Sequence, residues 1–426
     1  MSDEPVVIAT FNTAPEAHFA RLALEAEGIP CQILDENQAG YPGFGVLFPV
    51  SLLVLPDDLE DARAILFGEP LPPTVAYYLS GHGFGHATRA VLVMEALHRL
   101  VPGLRLCIRS TVSEALLRKY LRLPFELEPV QLDSTVVESG ILAVDVPATA
   151  AAYRAWLPTR EATIAREAEW ARENGVGIVV FDAPPAAAVV ASEAGVPSVG
   201  ITNFTWDFIY SDYKGDDPIF ADAVRQCRAD YAQATLGIQL PLGHQQNQYT
   251  HVERVPLVAR RTAVDRESIR RELGITEGRP VLVVALRGAS TDLVVDGSQV
   301  EVLSFGELNG PGVRRLSAEW DQRFSEVLAA GDVVLSKPGY GVCSECIANG
   351  KPLIHLPRSR FAEAELLVRG MDGAVAHRQV SPALLADGAA LRRLCDELVA
   401  EGPFPVADVS GADVCARLIA ETAGWA

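Results

Sequence analysis

The sequence predicts an α/β protein with two doubly wound halves in series facing a cleft, preceded by a small α+β unit. Three observations carry this. From Thr74 onward, short continuous apolar runs alternate with helical segments, the pattern of a parallel sheet covered on both faces. That series starts afresh near Arg279. Before it, Gly68-Glu-Pro-Leu-Pro-Pro73 has the proline content of a linker.

The elements follow in order. Residues 6–11 read as a strand and 14–27 as an amphipathic helix ended by Gly28. Strands over 30–34 and 46–55 and a helix over 58–66 complete a βαββα, ferredoxin-like unit, assigned to 1–70. The first half, 74–255, has strands at 75–80, 104–110, 125–130, 177–182 and 198–202. A short capped helix over 265–275 leads into the second half, 256–405. Its strands are 281–286, 300–305, 333–336, 353–356 and 374–376. The remainder, 406–426, holds a helix over 412–421 expected to pack back on the first half. Ligands of such halves bind at the carboxyl ends of the strands.

Composition narrows the function. The 426 residues are 49% hydrophobic and 21% charged, which is globular. A net charge of −19 makes nucleic acid and anionic membrane surfaces poor partners. No run approaches the roughly 20 apolar residues that span a bilayer. The start, Met-Ser-Asp-Glu-Pro, lacks a secretory n-region, and seven scattered cysteines argue against a disulfide framework. The expectation is a cytoplasmic protein.

Two glycine segments carry the chemistry. In Ser80-Gly-His-Gly-Phe-Gly-His86, glycines 81, 83 and 85 form a loop between a strand and a helix over 90–100. A helix start favours anions. His82 and His86 add groups that move protons near neutrality. The second segment runs from Ser336-Lys-Pro-Gly-Tyr-Gly341 into a helix opening at Val342, whose first N–H groups suit a diphosphate. Glu345 either accepts two ribose hydroxyls or complements the helix dipole. Asp182, ending a strand, either faces the cleft, orienting His86 or an acceptor, or caps the helix from Pro184. Asn203, Trp206 and Asp207 follow the next strand and suit a sugar acceptor, with core packing the alternative for Trp206. Arg89 faces either a phosphate or solvent. Cys343 and Cys346 have metal-like spacing but no second pair, and read as core.

Two resemblances sharpen this. Glu16-Ala17, Gly28-Ile-Pro30 and Asp61-Ala62 make the first 70 residues similar to a family of small signal-transducing domains. That implies a regulatory or dimerising appendage. Residues 74–400 resemble the GT-B glycosyltransferase superfamily, most of all the glycosyltransferase-like N-terminal region of plant arabinokinase. The segments are Ser80 to Arg89, Thr202-Asn-Phe-Thr-Trp-Asp-Phe-Ile-Tyr210, Val255-Pro-Leu-Val-Ala-Arg-Arg261 with Arg270-Arg-Glu-Leu-Gly-Ile275, and Lys337-Pro-Gly-Tyr-Gly341 through Ser344-Glu345. A fainter likeness runs to the peptidoglycan N-acetylglucosaminyltransferase, with its Gly-Gly-His loop first and Gly…Ser-Glu loop last. No Pro-x-x-x-Gly-Leu-Ser-Ser-Ser phosphate loop is present, so kinase activity does not carry over.

The resemblance implies two Rossmann-like halves, acceptor-binding then donor-binding. It makes His86 the first choice of base and His82 the second, and Asp182, from its place at the strand end, joins them as a catalytic candidate. It places Gly83, Gly85, Lys337, Gly339, Gly341 and Ser344 around the donor diphosphate and Glu345 on the ribose. Arg358, Phe361 and Glu363 fall at donor-sugar positions, with departures at Ala362 and Ala364. Where a glycine-rich donor loop is usual, only Gly288 remains, with Arg287 beside it either to neutralise the diphosphate or to mark a degenerate donor site. The expected activity is transfer from a nucleotide sugar, UDP-linked by superfamily habit, to a hydroxyl acceptor, without metal or cofactor. A non-catalytic nucleotide-sugar sensor and a sugar-nucleotide epimerase are the alternatives. The appendage is a candidate homo-oligomer contact.

Overall fold

A computed structural model describes residues 5–34, 50–68, 72–81, 83–140, 142–275, 278–286 and 293–425. His82, Arg287 and Gly288 lie outside them, as do residues 46–49 of the expected third strand.

The chain divides into two compact units, 1–73 and 74–426. In the first, strands Val6–Phe11, Val50–Val54 and Cys31–Leu34 lie in that order in an antiparallel sheet. The helices Ala14–Ala26 and Leu59–Phe67 close a small core around Ile8, Leu24, Leu52 and Ala62.

The second unit holds two all-parallel sheets. The first has seven strands in the order Val252–Arg254, Leu236–Gln239, Ser198–Thr202, Ile178–Asp182, Thr74–Leu79, Arg105–Ser110, Glu126–Glu128. The chain enters at Thr74–Leu79, builds to one edge, then crosses back to Ile178–Asp182 and builds to the other. The direction therefore reverses between these two neighbours, which is where a doubly wound sheet opens a crevice. The second sheet has six strands, Val313–Arg315, Glu301–Ser304, Val281–Val284, Val333–Ser336, Leu353–His355, His377–Gln379. Its reversal falls between Val281–Val284 and Val333–Ser336. Both central strand pairs are fully buried and apolar apart from Thr74, Asp182 and Ser336 at their ends.

Several expectations need correction. The first motif is not a loop followed by a helix at Ala90: the helix runs Gly83–Leu100, so Gly83, Gly85 and His86 are helical. Its buried positions, Ala87, Ala90, Val91, Met94 and Leu97, keep helical spacing and pack on the sheet. The second motif helix runs Tyr340–Asn349, two residues earlier than expected, and ends at left-handed Gly350. Glu345 is therefore in the second turn. The last strand of the second sheet is His377–Gln379, not 374–376. Val375 and Ala376 are buried on the approach to it. Three short strands, Leu236–Gln239, Val252–Arg254 and Val313–Arg315, lie toward the sheet edges, where partial exposure hides the apolar run. The helix Gly411–Thr422 returns to the first half and buries Cys415, Ala416, Ile419 and Ala420 in the same core as the Gly83 helix.

Candidate active site in the cleft

Leu79 and Asp182 are register partners at the carboxyl ends of their strands. The Gly83 helix rises from this reversal point, and His86 and Arg89, three residues apart, share the face over Asp182. All three are at least 95% buried. His86 Nδ1 lies 2.8 Å from Asp182 Oδ1. Arg89 grips the same carboxylate with two nitrogens, its Nε donating at 2.6 Å and its Nη2 to the other oxygen. Arg89 Nη1 donates to Asn203 Oδ1, and Asn203 Nδ2 donates to Glu363 Oε1 at 2.8 Å. A guanidinium only donates and a carboxylate only accepts, so the Asn203 amide has one consistent orientation. The chain of bonds thereby links the first half to the second.

Burial pushes the Asp182 carboxyl up, but Arg89 and His86 beside it prevail and hold it below its ordinary range. Arg89 Nη2 lies 2.9 Å from His86 Nδ1, too. With Nδ1 protonated, the imidazole and Arg89 Nη2 are two donors sharing the Asp182 carboxylate as acceptor. The next residue, Ala183, has φ 79°, a left-handed backbone rare for alanine. Tyr231 Oη donates to its carbonyl and pins it. Such strain at a buried carboxylate fixes the direction of the side chain.

The second half meets this site with its own helix start. A Cβ on Gly341 would lie 3.3 Å from Thr88 Oγ1, and one on Gly85 3.9 Å from the Gly341 nitrogen. Gly341 lets the first turns of the two helices approach closely, while the Gly85 contact is ordinary packing. A cavity of about 430 Å³ lies between the halves. Gly85, His86 and Arg89 line it from one side, and Lys337, Gly339, Gly341, Ser344, Glu345, Arg358 and Glu363 from the other. Glu345 Oε2 accepts from Ser325 Oγ at 2.7 Å. Burial pushes the Lys337 amine below its ordinary value, and Arg358 adds to this. Both cations reach Glu138, on a two-residue strand of the first half.

Other predicted residues do not face the cavity. Trp206 is fully buried in the core, stacked on Tyr210, and its indole N–H donates to Asp133 at 2.8 Å. Asp207 is bound to Arg228 at 2.9 Å. Asn203 is spent between Arg89 and Glu363, so the three residues expected on the acceptor side do not line the cleft. Phe361 lies beneath the Arg358 guanidinium, 3.9 Å from ring centroid to carbon, and against Phe204. Asp182 is no helix cap: the following helix is Ala186–Ala194 and has no side-chain cap bond. Cys343 and Cys346 are fully buried, and burial pushes the Cys343 thiol up to about 12. Sequence reasoning missed Glu138, Ser325 and the Arg89 network. Only Arg89 left a signal, its place three residues after His86.

Residues 6–67 match the family model described as "Putative prokaryotic signal transducing protein". Over 310 residues, 68% of this chain and 29% of the relative, the sequence is 31% identical to L-arabinokinase of Arabidopsis thaliana. Over 171 residues, 33% of this chain and 46% of the relative, it is 30% identical to the UDP-N-acetylglucosamine--N-acetylmuramyl-(pentapeptide) pyrophosphoryl-undecaprenol N-acetylglucosamine transferase of Clavibacter michiganensis subsp. michiganensis. Among solved structures, the glycotransferase of kitacinnamycin aligns with TM-score 0.53 at 19% identity, covering 83% of this chain and 97% of that one. Medicago truncatula UGT71G1 complexed with UDP-glucose aligns with TM-score 0.52 at 11% identity, covering 83% and 99%. The chain spans less than half the length of these two curated relatives, and the structural likenesses speak to fold.

Proposed function

We propose that this chain, which has the GT-B glycosyltransferase fold behind a small antiparallel-sheet domain, transfers a glycosyl group from a nucleotide sugar to a hydroxyl acceptor. The observation that carries the reading is the His86–Asp182 pair, set at the sheet's reversal point beside a cavity shared with Lys337, Arg358 and Glu345. The arabinokinase and peptidoglycan-transferase likenesses support it, the latter through a UDP-sugar donor.

His86 Nε2 takes the proton of the acceptor hydroxyl, and Asp182 stabilises the imidazolium that forms. The acceptor oxygen bonds to the anomeric carbon as the bond to the diphosphate breaks. The leaving diphosphate keeps the electron pair, and Lys337, Arg358 and the N–H groups at the Tyr340 helix start stabilise its charge. Those cations take the part a divalent ion plays elsewhere. Glu345, braced by Ser325, receives the ribose, and Glu363 the sugar hydroxyls. The six buried thiols, with Cys31 partly exposed, suit a reducing cytoplasm.

The likeness of residues 6–67 to a signal-transducing family favours a second reading, a sensor that binds the nucleotide sugar without turnover. One assay separates the two: binding and nucleoside diphosphate release, over a panel of nucleotide sugars and acceptors. Transfer predicts release by wild type that resists EDTA and falls about 10²–10⁴-fold in His86→Ala with binding retained. Binding without release in wild type favours the sensor. No binding by wild type sinks both.

A further inference from the structure

We infer that Glu138 is an internal competitor for the anion subsite of the cleft, a carboxylate seated between Lys337 and Arg358 that a diphosphate must displace. This rests on the nucleotide-sugar reading above and adds a residue that sets donor affinity.

The geometry comes from both halves. Ser336 and His355 are register partners at the ends of adjacent strands, and Lys337 and Arg358 follow them. Two cations thus converge beside the start of the Tyr340 helix. Glu138 arrives from the other half on a short ladder, Glu138–Ser139 against Ala143–Val144. Its Oε2 lies 3.2 Å from Lys337 Nζ, and its Oε1 accepts from Arg358 Nη2. These are its only ion-pair partners among the described residues. All three side chains line the cavity.

The hairpin does not need this carboxylate to stay in place. Backbone bonds hold it, Asp145 N–H to the Val137 carbonyl at 2.8 Å and Ser359 N–H to the Leu142 carbonyl at 2.8 Å. The Glu138 and Lys337 side chains are 31% and 27% exposed, where an ion pair contributes little net stability, while Arg358 is 6% exposed. A diphosphate offers the same cations more charge and more acceptor atoms than one carboxylate. It cannot share the position, because like charges at that distance repel. Burial and Arg358 push the Lys337 amine below its ordinary value, and Glu138, with Glu363, works against that shift.

The test is calorimetric titration of the full chain with inorganic pyrophosphate, then with nucleoside diphosphates and their sugars. Glu138→Gln should bind pyrophosphate about tenfold tighter than wild type, since one like-charge contact is gone. Ser139→Ala, in the same strand, should match wild type. Equal or weaker binding by Glu138→Gln overturns the inference, and so does a failure of pyrophosphate to bind either protein. Tighter pyrophosphate binding with no affinity for any nucleotide would uphold the competitor and sink the nucleotide-sugar reading instead.

Discussion

Arg89 and Asp182 form a buried ion pair whose partners also serve His86 and Asn203. Removing one member leaves the other charged and unsolvated, which costs about 3–5 kcal/mol. Arg89→Met should therefore lose that much stability at neutral pH, read by chemical denaturation. The loss depends on pH in a known direction. In wild type the Asp182 pKa lies below its free value of 3.8, so its stabilisation is full above that pH and fades as pH falls through the folded value. In Arg89→Met, burial is opposed by His86 without Arg89, and the carboxyl protonates at higher pH than in wild type. The gap between the proteins should narrow on acidification. A constant gap would mean that Asp182 is not what Arg89 compensates. At this scale the sequence was partly legible. Asp182 and His86 stood out as titratable groups at strand and helix ends. The bonds joining Arg89 to Asp182 and Asn203 span 93 and 114 residues, and no local pattern announces such a pairing.

At the scale of elements, periodicity served well wherever a strand or helix buries a regular face. The central strands fall within a residue or two of their expected bounds, because a strand buried on both faces is apolar along most of its length. It failed where propensity is overridden. Glycine disfavours a helix by about 1 kcal/mol, yet Gly83 and Gly85 lie inside the helix Gly83–Leu100. It failed again at Glu138, on a two-residue exposed ladder too short to carry a period. The returning helix Gly411–Thr422 was legible from its apolar stripe, and its energetics follow from burial. Ile419 is fully buried between it and the Gly83 helix. Ile419→Ala should destabilise the protein by about 2–5 kcal/mol in urea unfolding. A cost near zero would show that the helix does not stay docked.

For the whole molecule, the unit 6–67 encloses its own apolar core, and the unit from Thr74 contains both sheets and the cavity. A protein starting at Thr74 should unfold in a cooperative transition and bind pyrophosphate as the full chain does. Loss of either property would mean that the first 73 residues complete the larger unit. The two-sheet architecture was readable because its apolar runs repeat twice in one chain. The cavity's lining was less so, since it draws on six or more separate segments that only the assembled cleft brings together.

The returning helix also imposes an order on biogenesis. The first sheet is complete once the chain has passed Arg254, yet the face of the Gly83 helix that meets Ile419 stays uncovered until residue 419 and its neighbours emerge. Everything that builds the second sheet is synthesised in that interval. A nascent chain thus carries an open apolar stripe for more than 150 residues of elongation, at ribosomal rates about 10 s or more. Chaperone capture of stalled chains should persist until the return helix has cleared the exit tunnel. The second sheet, finished earlier in its own continuous stretch, can settle first.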